Sequence, residues 1–459
     1  MPLDLTTSSK DNHSTKSKAM SPRFSPEVAI KGLNPEQDRR TFMSTAAKSL
    51  LGVSVAGTLT NCGMNSIAHA AAATPVAGKA KSVIYLYMTG AMSHLDTFDP
   101  KPGSESQGET QPTKTKIPGI QITDKMPKLA YLMNGIALVR SLTTETGAHE
   151  QGRYLMRTSY KPLNSIRHPA LGTWANHILK KANPNLPGNV LIGSAAGHPA
   201  AGFLPASIAP VPISNPAAGL QNSKSPGYVD DDIFRKRMAL ARQFDAKFKS
   251  SVDSHLVQAY DETYREAVRL MGSSELNVFD IKQEKQEIRD FYGENRFGQG
   301  CLLARRLVQK GVRFVEVEYG GWDNHNDIYS RIPGLATNVD NAVGALLRDL
   351  ASKGMLDEVL VVLATEFGRT PKINENAGRD HHPGVFSGLM CGAGIRGGQA
   401  YGKSDDKGHS PEEDAVYPED FNATIAAAMG LPLEEEFFAP NGRPFRICNS
   451  GTPIEKLLA

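Results

Sequence analysis

The chain has 459 residues, of which 40% are hydrophobic and 22% charged, and a formal net charge of +3. This is the composition of a globular protein, long enough for one large α/β domain with insertions or for two domains. Residues 1–72 hold eight Lys/Arg against five Asp/Glu, which accounts for the whole excess; the remainder is balanced, and no basic stripe interleaved with aromatics points to nucleic acid as a partner.

The first 38 residues are polar and rich in Ser, Lys and Pro, and read as disordered. Arg39 and Arg40 follow in D-R-R-T-F-M-S, ahead of a weakly apolar stretch at residues 46–60. This resembles a twin-arginine export signal, although Asp38 and Ser44 depart from the commonest flanking residues. The stretch is too short and too rich in Gly and Ser to span a membrane stably. Residues 1–72 are therefore expected to be a leader read by the twin-arginine translocation machinery, with the protein acting in the periplasm or cell envelope. Ala68-His69-Ala70 suits a signal peptidase. Leu59-Thr60-Asn61-Cys62 resembles a lipobox and allows a lipid anchor at Cys62. The four cysteines include no C-x-x-C pair, which argues against a disulfide framework; Cys301 and Cys391 sit in apolar surroundings and read as core.

From residue 73 onward the pattern is one α/β domain. Residues 81–88 (K-S-V-I-Y-L-Y-M) form a continuous apolar run, as in a strand covered on both faces. It ends in T-G-A-M-S-H-L-D, which places His94 and Asp96 two residues apart. A polar loop at 103–115 and a short strand at 136–139 follow, then a loop that enters a helix near His149. A helix at 169–181 and a strand at 189–192 come next; residues 193–227, rich in Pro, Gly, Ala and Ser, read as extended loop. Residues 230–272 read as two helices, and with the helical segments up to 310 they make an insertion over about 228–310 that could cap a site. Gly311 stops this block before the strand V-R-F-V-E-V-E-Y, which Gly320 and Gly321 break. Asp323 and His325 come next, two apart and so on one side of an extended segment. A carboxylate beside an imidazole at a strand end suits a hard or borderline metal ion.

Residues 333–353 read as a helix with Leu335, Val339, Val343, Leu346, Leu347 and Leu350 on one face. The strand at 359–364 ends in Thr365-Glu366-Phe367-Gly368-Arg369. The loop N-A-G-R-D-H-H-P-G leads into a strand at 385–391, and a last helix covers 419–429. Alternating buried strands and helices predict a mostly parallel central sheet with helices on both faces. In such a sheet the ligand site lies beyond the carboxyl ends of the strands, where His94, Asp96, Asp323, His325 and Glu366 all fall.

The segments K-S-V-I-Y-L-Y-M-T-G-A-M-S-H-L-D-T-F-D-P, G-W-D-N-H, V-V-L-A-T-E-F-G-R-T-P, G-R-D-H-H-P-G-V-F-S and G-I-R-G-G-Q-A-Y-G resemble the signatures of a secreted bacterial family, domain-of-unknown-function family 1501. That family is similar to the alkaline phosphatase and sulfatase superfamily. The resemblance implies an alkaline phosphatase-like fold with one or two metal ions acting on sulfate or phosphate esters. Under it, Asp96 resembles the first metal aspartate, Asp323 and His325 an Asp/His ligand pair, and His381 or His382 the later histidine, with Asp380 as acceptor for its ring. Glu366 stands where relatives carry Asp-His-Gly. Arg153 and Thr158 keep sulfatase-like offsets, but His149 falls where the nucleophilic Cys or Ser belongs; Thr144 and Thr146 are the nearest hydroxyls.

The expected metal ligands are thus Asp96, Asp323, His325, Glu366, His381 and His94, holding zinc, manganese or iron. His149, Arg153 and Arg369 are the expected catalytic residues, the arginines as bidentate oxyanion partners. The leading reading is an exported metal-dependent hydrolase of a small-molecule or glycan ester. The alternative is a non-catalytic relative that binds anionic glycans or an envelope partner. The export reading is directly testable: with Arg39 and Arg40 both changed to Lys, fractionation should find the protein retained in the cytoplasm, and normal export of that variant would refute it.

Overall fold

Alternation along β1 (Ser82–Met88) sets the layering. Val83, Tyr85 and Tyr87 face one side of the sheet and Ile84, Leu86 and Met88 the other, and all six are buried. A strand that is apolar on both sides must be covered on both, and it is. The structure is a computed structural model describing residues 78–221, 223, 230–249 and 255–459. The twin-arginine motif, Cys62 and the candidate cleavage sequences lie outside the described residues.

Seven further strands join β1 in one sheet: β2 (Ile136–Leu142), β3 (Asn189–Ile192), β4 (Val211–Ile213), β5 (Phe314–Tyr319), β6 (Val359–Thr365), β7 (Phe386–Gly392) and β8 (Gln399–Tyr401). Their spatial order is β8-β2-β7-β6-β1-β5-β3-β4. Every neighbouring pair is parallel except the two made by β7, which runs against both β6 and β2. The sheet is therefore mostly parallel, as the alternation predicts. The edge strand β4 lies inside residues 193–227, read from sequence as loop. Pro212 at its centre is compatible with a strand only at such an edge.

The helices that matter here are α1 (His149–Thr158), α2 (Leu171–Leu179), α3 (Asp231–Lys249), α4 (His255–Met271), α5 (Arg296–Gln309), α6 (Ile328–Ser352) and α7 (Pro418–Ala428). Leu302, Leu303 and Leu307 of α5 and Val339, Val343, Leu346 and Leu350 of α6 pack beneath Ile84, Leu86 and Met88. Met156 of α1, Trp174 of α2 and Phe421 and Ile425 of α7 cover the opposite face. Helix α6 begins at Ile328, ahead of the predicted start at Pro333, because Ile328 and Ile332 are both buried one turn apart and hold the added turn against the core.

One buried ion cluster fixes α1 to the sheet. Arg157, in the last turn of α1, donates Nε and Nη2 to Glu316 Oε1 of β5 at 2.8 and 2.6 Å, and Nη2 to Glu318 Oε1 at 2.7 Å. Its guanidinium lies 4.1 Å over the ring of Tyr87 in β1. His198 Nε2 meets the other Glu316 oxygen at 3.1 Å. Burial would push the Glu316 carboxyl up, but Arg157 and then His198 outweigh it and hold it at about 2. The folded value lies below that of an unfolded Glu, about 4.3. The pair's contribution is thus complete above that value and is lost as pH falls through about 2. Glu316→Gln should cost about 3 kcal/mol near neutral pH and should flatten the acid limb of stability against pH in urea unfolding. An unchanged acid limb would contradict this role.

Candidate metal site

Strands β1, β2, β5 and β6 run parallel, so the segments that follow them meet at one edge of the sheet. Gly90 follows β1, Gly147 and His149 follow β2, Asp323 and His325 follow β5, and Glu366 follows β6. Strand β7 runs the other way, so the residues that precede it reach the same edge. This brings in His381, which pairs with Arg369 in a two-residue antiparallel ladder of Gly368–Arg369 with His381–His382. The approach is close: a side chain on Gly90, at φ +111°, would put its Cβ 2.5 Å from the Asp323 nitrogen. A Cβ on Gly152 of α1 would stand 3.1 Å from that of Glu366.

His149, Asp323 and His381 offer ligand atoms that all lie within 4.8 Å of one another. His149 Nε2 is 3.3 Å from Asp323 Oδ2 and makes no hydrogen bond. His381 Nε2 is 3.2 Å from Asp323 Oδ1. His325 joins them, its Nε2 standing 3.1 Å from Asp323 Oδ1 and 3.0 Å from His381 Nε2.

The far side of each ring explains the convergence. His149 Nδ1 meets Glu366 Oε1 at 2.8 Å, His325 Nδ1 meets Asp380 Oδ1 at 2.7 Å, and His381 Nδ1 meets the Gly147 carbonyl oxygen at 2.7 Å. A carbonyl only accepts, and an ionised carboxylate only accepts, so each Nδ1 carries the proton. Each Nε2 is then left with its lone pair turned toward the shared centre. Outer partners of this kind fix tautomer and orientation in metal-ligating histidines.

Lone pairs facing each other and a carboxylate at about 3 Å repel unless positive charge lies among them. Protonating His381 is resisted, since burial lowers its pKa. Burial also opposes ionisation of Asp323, yet the hydrogen bond and positive charge of Arg369 hold its carboxyl far below the usual range. Glu366 is likewise held down against burial by His149, the Gly90 N–H and Arg153. A neutral-imidazole and carboxylate donor set is what zinc, manganese or iron accepts. These residues therefore form a cluster able to hold a metal ion.

Other residues singled out in the sequence are placed elsewhere. Asp96 is fully buried with both oxygens occupied: Arg379 Nε donates to Oδ2 at 2.8 Å and the Thr110 hydroxyl to Oδ1 at 2.6 Å. It belongs to an ion pair and not to the cluster. His94 is also buried; its Nε2 donates to the Gly408 carbonyl at 2.9 Å, and burial lowers its pKa to about 4. Glu366 acts behind His149 and does not face the centre through its bonded oxygen, while its Oε2 is buried without a partner. Asp380 serves the ring of His325, not that of His381. Arg369 is fully buried, and its five N–H groups are turned to Asp323, to the carbonyls of Gly90, Ala91 and Arg379 and to His325 Nε2 at 3.4 Å, so it has no donor to spare for an oxyanion. Among the described residues Arg153 is engaged through Nε alone, 3.4 Å from Glu366 Oε1, and its two terminal nitrogens meet no hydrogen-bond partner. His382 Nε2 donates to the His409 carbonyl, and Trp322 is buried, packed edge-on against Tyr319.

The fold and site define an α/β protein with a His/His/Asp cluster at the carboxyl edge of its sheet. Residues 80–458 match one family model, and the chain belongs to that family, DUF1501, described as protein of unknown function. A search of curated proteins finds no match. Solved structures with a similar backbone course are distant. The PsFucS1 sulfatase from Pseudoalteromonas sp. is 12% identical, over 92% of this chain and 77% of that one, at TM-score 0.37. Ps i-CgsB is 12% identical over 76% and 72%, at TM-score 0.38. The alkaline phosphatase of the Antarctic bacterium TAB5 is 11% identical over 78% and 99%, at TM-score 0.32.

Releasing one ring tests the geometry. Glu366→Ala frees His149 Nδ1 without removing any atom that faces the centre. Zinc affinity, measured by competition with a chromogenic chelator, should fall by about 10- to 100-fold. Unchanged affinity would mean that His149 takes no part.

Proposed function

We propose that this chain is a metal-dependent hydrolase of sulfate or phosphate esters, in which His149, Asp323, His381 and His325 hold a divalent ion. The observation that carries the proposal is the turning of the His149 and His381 Nε2 lone pairs and the Asp323 carboxylate onto one centre, with His325 Nε2 beside Asp323 and His381 and each ring locked from behind. A bound ion supplies Lewis acidity toward an ester oxygen and lowers the pKa of water.

The protein's own groups divide the remaining work. Asp323 and the three rings bind and orient. Arg153 lies four residues after His149, one turn along α1, so both project from one face of the helix. Its unbonded terminal nitrogens suit two oxygens of an anionic ester. Glu366 and Asp380 keep the Nδ1 protons of His149 and His325 in place. In this reading His149 is a metal ligand, where the sequence placed it among the catalytic residues.

Neither of the two threonines nearest the sequence position of His149 is offered as a nucleophile. Thr144 Oγ1 is buried, and the Thr146 hydroxyl donates to Gln151 Oε1 at 2.9 Å while accepting from the Ala148 N–H. Hydrolysis by direct attack of water, without an enzyme-bound ester, is the route that fits these surroundings. We also hold to export as the setting in which such an ester would be met.

A panel of sulfate and phosphate esters, assayed after loading with zinc, manganese or iron, should reveal turnover that Asp323→Ala abolishes together with metal content. Arg153→Met should keep the metal and raise KM at least tenfold. Metal-replete protein that turns over no ester, yet binds sulfated polysaccharide, would replace this reading with that of a binding protein.

A further inference from the structure

Arg369 is the charge that the ester reading leaves without a task. Its side chain is fully buried. Nε donates to the Ala91 carbonyl at 2.9 Å, Nη1 to the Arg379 carbonyl at 3.0 Å, and Nη2 to the Gly90 carbonyl, so two segments of the chain, at 90–91 and at 379, clamp the guanidinium in one pose. The same Nη2 donates to Asp323 Oδ1 at 2.5 Å, and Nη1 stands 3.4 Å from His325 Nε2. Two atoms of the candidate ligand set therefore already face a fixed cation. Asp323 is shared between two sides: Oδ1 is turned to Arg369 as well as to His325 Nε2 and His381 Nε2, and Oδ2 to His149 Nε2, 3.3 Å away.

The charges in contact with the cluster lead to the same conclusion. Asp323, Glu366 and Asp380 contribute three negative charges. Arg369, on Asp323, and Arg153, on Glu366, contribute two positive ones. The balance is one negative charge. One divalent ion takes it to a single positive charge, which an anionic ligand can meet. A second would take it to three, beside a buried guanidinium that cannot lose its proton or swing away.

We propose that the site takes one divalent ion only, because Arg369 stands as a built-in second cation on Asp323. This rests on the metal reading above and settles the number of ions in it. The alternative of a paired-ion site requires Oδ1 of Asp323 to leave Arg369, which would strand a buried guanidinium without its carboxylate.

The test is a count. Purified full-length protein, stripped with chelator and then saturated with zinc or with manganese, is passed through a desalting column and analysed for bound metal against protein concentration. One ion per chain is expected with either metal. Two ions per chain would overturn this inference and leave the metal reading standing. No retained ion would overturn both. Arg369→Gln removes the charge while keeping hydrogen-bond donors near the same carbonyls. It should bind the first ion at least tenfold more tightly, or bind a second. A folded Arg369→Gln protein with wild-type affinity and count would show that the guanidinium does not act as the second cation.

Discussion

Three imidazole nitrogens with their lone pairs exposed to one another, and a carboxylate among them, repel at separations of 3.0–3.3 Å, and this fold holds them there. What holds them is not a contact between the ligand groups. It is the set of acceptors behind them, Glu366, Asp380 and the Gly147 carbonyl, each of which captures an Nδ1 proton. The sheet then fixes those acceptors. Gly147 and Glu366 follow parallel strands, and Asp380 sits in the loop that returns into the antiparallel one. The direction of β7 is therefore part of the site: a parallel strand in its place would have carried His381 and Asp380 to the opposite edge.

The backbone around the centre is dense for the same reason. Gly378 carries no side chain because a Cβ there would lie 2.0 Å from the His325 carbonyl oxygen. Asn374 ties the two layers together, its Nδ2 donating to that carbonyl at 3.0 Å and to Asp380 Oδ1 at 3.1 Å. Asp380 thus holds His325 from a position that is itself held, although half of its own side chain is exposed. On the other flank, Arg157 anchors α1 to β5 and β1 from beneath, which steadies the helix whose first residue is His149. A buried ion pair breaks even at best against apolar packing. Here it serves to fix a direction.

Much of this was legible in the sequence. The apolar runs within 81–88 and 359–364 read as strands covered on both faces, and the two-residue spacing of Asp323 and His325 placed them together on one side of an extended segment. The same spacing misled at His94 and Asp96. Spacing reports which way side chains point, not what meets them, and what meets Asp96 is Arg379, 283 residues away in sequence. Arg379 lies in a Gly-rich loop and carries no local mark of burial. Gly147 was illegible for another reason: its contribution is a backbone carbonyl, which every residue possesses. The choice between His381 and His382 lay in their short ladder with Gly368–Arg369, where successive side chains alternate, turning His381 to Asp323 and His382 to the His409 carbonyl.

The two halves of the cluster differ in how firmly they are held, and the difference orders their roles. Glu366 is completely buried, while Asp380 is 53% exposed. His149 is accordingly gripped from inside the protein, between Glu366 and the ring of Phe367, whose centroid is 5.1 Å away. His325 is gripped at the solvent edge. A carboxylate in water is screened and competes with solvent for its partner, whereas one excluded from water binds its partner undiluted. His149, Asp323 and His381 are the three whose ligand atoms all lie within 4.8 Å of one another, and His325 stands on the more exposed side of that group. An incoming anionic group would meet the rim first and come to rest beneath the free end of Arg153, which shares Glu366 with His149. The buried carboxylate thus links the ring that binds to the arginine that receives, and α1 carries both on one turn.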